Sequence, residues 1–144
     1  MLMGKDIIQQ LRRRLLEERR RTLETIAAEI RESDLQRPSG TEELSVQDIL
    51  SLIVAGDAQL GGEEVGVVTE PPVRPFLHPL FFIRTAWETR TRLLDELDSL
   101  SDEDLDAPLE SSGKTVREAL EELILCESEY LRPALERYIE SRGN

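Results

Sequence analysis

Apolar residues recur at intervals of three and four along most of the chain, and the strict alternation of a half-buried strand is nearly absent, so the pattern predicts helices. Over residues 6–31 the periodic positions are Ile8, Leu11, Leu15, Leu16, Leu23, Ile26, Ala27 and Ile30, with a charged interruption at 17–21. Pro38 and Gly40 mark a loop. Ser45-Val-Gln-Asp48 then has an N-cap residue followed three positions later by a carboxylate, which predicts the start of a second helix. Its buried stripe is Val46, Ile49, Leu50, Ile53 and Leu60, and Gly61-Gly62 supplies the stop. Four prolines within 65–79 exclude a continuing helix and make that segment a bridge. A third helix is predicted over 80–100, with Ile83, Trp87, Leu94 and Leu97 on one stripe and Ala86, Leu93 and Leu100 beside it. Thr115-Val-Arg-Glu118 is a capping box that opens a fourth, whose stripe is Val116, Leu120, Leu123 and Leu131. Pro133 falls inside that pattern and is expected to kink or break the helix near Glu129, because its ring meets the carbonyl four residues back.

The second half of the pattern repeats the first. At a gap-free offset of 70, Leu23, Asp34, Leu35, Pro38, Ser45, Val46, Asp48, Leu50 and Ile53 align with Leu93, Asp104, Leu105, Pro108, Thr115, Val116, Glu118, Leu120 and Leu123. One amphipathic hairpin cannot bury its apolar face alone, whereas two packed about a pseudo-two-fold axis can. The expectation is therefore one all-α domain over 1–144, a four-helix bundle with hairpins at 6–64 and 80–141 joined by the 65–79 bridge.

Charge narrows the possible partners. The 144 residues hold 18 basic and 30 acidic side chains, a net charge of −12, which opposes binding to nucleic acid or to an anionic membrane surface. The first 31 residues hold eight basic groups against five acidic ones, so the first helix is cationic beside an acidic remainder. Such a helix can pack against an acidic bundle or meet an acidic face on a second copy. A single cysteine, Cys126, excludes an intramolecular disulfide, and with no secretory or spanning pattern the expected location is cytoplasmic.

The helix ending in Glu32-Ser-Asp-Leu35, the loop with Pro38 and the segment Ser45-Val-Gln-Asp-Ile-Leu50 together resemble the DinB-like superfamily. Residues 102–105 and Thr115-Val-Arg-Glu-Ala-Leu120 resemble the approach to that family's last helix. The resemblance implies an up-down-down-up four-helix bundle, a homodimer, and in many members a three-histidine metal site used in thiol-transfer, isomerase or hydrolase chemistry. Matched onto this chain, the histidine positions fall near Leu52 and at Cys126 and Tyr130, none of them a histidine. The usual three-nitrogen site therefore cannot form, so neither a resident metal nor a cofactor is expected.

The remaining candidates have structural and chemical readings side by side. His78, the only histidine, lies between prolines in the bridge, where it can act as an acid or base or simply bond to backbone. Glu122, Cys126 and Tyr130 are four apart on one helix face and, with His78 and Trp87, outline a candidate pocket; Glu122 and Glu127 would raise rather than lower a thiol pKa there. Asp57 and Glu127 pair through the offset, as do Arg20 and Arg90, and each falls on an apolar stripe. They are expected to form Arg20–Asp57 and Arg90–Glu127 ion pairs inside the bundle, or else to line a polar cavity with arginine clamps. The functional expectation is a small-molecule-binding or interaction module without the metal site; the alternative is a metal-independent enzyme acting on a small electrophile or thiol conjugate.

Overall fold

The computed structural model describes residues 4–60, 78–109 and 113–142, so most of the 65–79 bridge and the Gly61-Gly62 stop lie outside the described residues. Their regular structure is all helical, without a strand among the described residues. α1 spans Gly4–Glu29, α2 Val46–Leu60, α3 Pro79–Leu97, the one-turn α4 Asp102–Leu105 and α5 Val116–Leu125. From α5 the chain passes without a break through a π-helical turn, Cys126–Leu131, into α6, Arg132–Arg142. No described helix is long and apolar enough to cross a membrane.

Local chemistry accounts for the starts. Ser45 Oγ accepts from the Asp48 amide at 3.1 Å while Asp48 Oδ2 accepts from the Ser45 amide at 2.9 Å; Thr115 and Glu118 repeat the exchange at 3.1 and 3.0 Å. Pro79, at the first position of α3, loses no helical hydrogen bond. The loops before α2 and α5 each contain a single antiparallel bridge, Pro38 with Ser45 and Pro108 with Thr115. Gly40 and Gly113 hold φ of +84° and +75° in these loops, a conformation that favours glycine.

The expected break at Pro133 takes a different form. The helix neither ends nor reverses; the wide turn at Cys126–Leu131 lies directly upstream and absorbs the missing donor and the bulk of the ring. α3 ends three residues earlier than its apolar pattern suggests, at Leu97, with Asp98 as C-cap.

α1 and α2 each pack against α3 and against the α5–π–α6 segment. Two apolar cores result. The first joins Ile26 of α1 and Ile30 just beyond its end to Val46, Ile49, Leu50 and Ile53 of α2, Phe82 of α3, and Leu131, Ala134, Leu135 and Tyr138. The second joins Ile8, Leu11 and Leu15 to Leu93, Leu94 and Leu97 of α3, Leu105, and Leu120 and Ile124 of α5. The buried apolar positions of α1 are thus Ile8, Leu11, Leu15 and Ile26, with Ile30 just beyond its end, while Leu16 and Ala27, expected on the stripe, are exposed.

Burial separates leucines that look alike in sequence. Leu135 is fully buried in the first core and Leu52 is 45% exposed on α2. Leu135→Ala is expected to cost about 2–5 kcal/mol of unfolding free energy and Leu52→Ala under about 1 kcal/mol, read from urea denaturation midpoints at equal m-value.

Candidate functional site

Between the two cores lies a layer of charge. α1 contributes Arg19, α2 Asp57, α3 Arg90 and the π turn Glu127, all at most 2% exposed. Arg19 approaches Asp57 at 2.7 Å and Glu127 at 2.9 Å, and Arg90 approaches each carboxylate at 2.8 Å. Every cation therefore touches both anions, and the four formal charges cancel.

The guanidinium forks are directed as well as paired. Arg19 Nε and Nη2 both donate to Glu127, and Arg90 Nε and Nη2 both donate to Asp57, the two-point geometry that distinguishes arginine from lysine. The remaining donors reach helix carbonyls. Arg19 Nη1 donates to Ala86 O at 2.6 Å and Arg90 Nη1 donates to Leu15 O, each oxygen lying four residues before the other arginine. Thr89 Oγ1 adds a bond to Asp57 Oδ2 at 3.2 Å.

Burial opposes every charge in the layer, so the pairing must outweigh desolvation. Burial pushes the Glu127 carboxyl up, but Arg19, by charge and hydrogen bond, and then Arg90 outweigh it and hold the group at about 2. Burial likewise works against the Arg19 cation, and Asp57 and Glu127 overcome it, raising its pKa above the ordinary value.

Three of the four inward charges are those read from sequence; the fourth is corrected. Arg20 is exposed and pairs with Glu17 at 3.0 Å on the surface of α1, while its neighbour Arg19 takes the interior place. The gap-free offset of 70 aligns Arg20 with Arg90, whereas the buried residues of α1 and α3 correspond at an offset of 71, Arg19 to Arg90 and Leu15 to Ala86. The expected Arg20–Asp57 pair is accordingly an Arg19–Asp57 pair, and Arg90 bonds Asp57 as well as Glu127.

The candidate pocket does not assemble around the interior charges. Trp87, Cys126 and Tyr130 are exposed, and Asp57 is in the layer. Glu122 is exposed and ion-paired with Lys114. Partial burial, then Glu122 and Glu127, raise the Cys126 thiol, which stays protonated at neutral pH. His78 caps α3, its Nδ1 accepting from the Leu80 amide at 3.0 Å. Leu52 is likewise on the surface.

A second polar cluster escaped the sequence reading. Tyr138 Oη donates to Asp34 Oδ1 at 2.5 Å, and Arg142 Nη1 and the Arg31 amide donate to Asp34 Oδ2 at 2.7 and 2.8 Å. Burial would raise the Asp34 carboxyl, but these donors together hold it below its ordinary value, while burial and Asp34 raise Tyr138. The signal for Tyr138 was its place on the stripe Leu131, Leu135, Tyr138; nothing local marked Asp34 or Arg142. Among the described residues no group of three His, Cys, Asp or Glu side chains is placed to hold a metal ion. No family model, curated protein or solved structure matches the chain.

Arg90→Met is expected to cost on the order of 3–5 kcal/mol by stranding negative charge, whereas Arg90→Met with Glu127→Leu leaves the Arg19–Asp57 pair and costs less than the two single changes summed. Urea denaturation of the four-member cycle reads the coupling, and additive losses would contradict it. The folded pKa of Glu127, about 2, lies below its ordinary 4.5, so its contribution is complete above pH 4.5 and disappears as pH falls toward 2. Glu127→Gln should flatten that part of the stability–pH curve.

Proposed function

We propose that this chain is a DinB-like four-helix bundle without the family metal site, acting as a small-molecule-binding or interaction module. The fold reading is supported by how the cores join helix ends. The C-terminal half of α1 meets the N-terminal halves of α2 and α3 and the C-terminal part of the α5–π–α6 segment, the arrangement of an up-down-down-up bundle. It is supported too by the matching loops and capping boxes before α2 and α5, which suit a repeated hairpin whose first copy carries one additional residue between Ile26 and Leu35.

The observation that carries the functional reading is the closure of the charged layer. Its acids and bases are engaged with one another, the lone thiol is exposed and protonated at neutral pH, and the only histidine in the sequence caps a helix. Outside the Asp34–Tyr138 cluster, that leaves chemistry without a buried acid–base pair or an activated nucleophile among the described residues, and leaves recognition at the surface as the reading best supported. A homodimer is part of this proposal: Leu80 and Trp87, seven apart and both exposed, share one face of α3, with Phe81 beside them.

A thermal-shift screen of small anionic, cationic and apolar compounds, run with an assay of glutathione transfer to 1-chloro-2,4-dinitrobenzene, tests the reading. Stabilisation by one compound class without turnover is the expected outcome. Turnover abolished by Cys126→Ala would replace the module with a metal-independent thiol enzyme.

A further inference from the structure

At the end of the molecule that holds Asp34, a recess of about 300 Å³ is lined by Arg31, Ser33, Asp34, Arg37 and Arg142. Three guanidiniums around one carboxylate are notable in a chain of net charge −12. The carboxylate is already occupied: Asp34 accepts from Tyr138, Arg142 and the Arg31 amide. Arg142 is held in place, donating to Asp34 at 2.7 Å and to the Glu29 carbonyl at 2.6 Å, with its guanidinium 5.8 Å from the centre of the Tyr138 ring.

Arg31 and Arg37 differ. Among the described residues neither side chain is in an ion pair, although Glu29 and Glu32 are close in the chain; Glu29 is engaged by Arg142. Their backbone is nevertheless pinned, the Arg31 carbonyl accepting from the Asp34 amide at 2.9 Å and the Arg37 carbonyl from the Val46 amide at 2.9 Å. Two exposed arginines without an ion-pair partner among the described residues, on a backbone fixed by hydrogen bonds, line a polar recess.

We propose that this recess binds a phosphoryl dianion, free or as the monoester of a compact molecule, between the forks of Arg31 and Arg37, with Ser33 as a hydroxyl donor and Arg142 beneath. The inference rests on the binding-module reading and names its ligand class. A phosphoryl group offers three acceptor oxygens and close to two charges, which suits convergent arginines better than a single carboxylate does. The volume is at the small end of ligand pockets, roughly 300–1,000 Å³, so a compact ligand fits and a polymer does not.

The test is an NMR titration of the full chain at constant ionic strength, following backbone amides and arginine Nε–Hε signals with inorganic phosphate, glycerol 3-phosphate and succinate. Saturable shifts at residues 31–37 and Arg142 with either phosphate, and binding of succinate weaker by about tenfold or more, are expected. Whichever phosphate binds more tightly identifies the source, and affinity for the ester should fall as pH drops through about 6, where its second proton returns. Arg31→Gln with Arg37→Gln should weaken binding by about tenfold or more without moving the urea midpoint, both residues being exposed. Absence of saturable shifts, succinate binding as well as phosphate, or undiminished binding in the double variant would overturn the inference. Each of these leaves the broader reading to be judged by the glutathione assay and the wider screen.

Discussion

Four charges removed from water at one level of the molecule set the terms for everything around them. Desolvating a single guanidinium or carboxylate costs several kcal/mol, and that cost is offset only when partners and hydrogen bonds are in place. Because Arg19, Asp57, Arg90 and Glu127 come from four different helical segments, no segment can take its position independently of the other three. The apolar cores on either side tolerate exchange of one aliphatic shape for another. The layer between them tolerates no such freedom, since a helix rotated or shifted by a residue leaves a stranded charge. Apolar burial makes the helices associate, and the layer selects which association is permitted.

How much of this was legible depends on the distance over which each signal acts. Helix starts were plain, because a capping box is a four-residue event, and Ser45–Asp48 and Thr115–Glu118 form as their residue types require. Asp57, Arg90 and Glu127 were legible as inward charges because each interrupts an apolar stripe. Arg19 was missed because the ungapped alignment pointed one residue too far, at Arg20. The stripe Ile8, Leu11, Leu15, Ile26, Ile30 passes through position 19 and would have corrected it. Asp34 and Arg142 were not legible at all: they lie 108 positions apart and meet only once the chain has folded.

Pro133 shows a local rule being satisfied in an unexpected way. A ring without an amide proton must disturb the turn before it, and here the disturbance widens that turn and lets the helix continue. Glu127 lies within the widened turn and carries one of the four interior charges. The same turn bears Cys126 and Tyr130, which face outward, so the surface where the resemblance expected a metal pocket belongs to the wall of the molecule.

The crossed bonds between α1 and α3 have a mechanical meaning. Arg19 holds the carbonyl one turn before Arg90, and Arg90 holds the carbonyl one turn before Arg19, so the helices are pinned at two reciprocal points. Because the two helices run antiparallel, sliding one past the other by even part of the 5.4 Å pitch would displace both bonds together and by the same amount. The pair behaves as a bolted joint. Axial shear, a common way for packed helices to carry a signal from one end of a bundle to the other, is opposed in this pair by both bonds at once, at the same level where the four interior charges are held together.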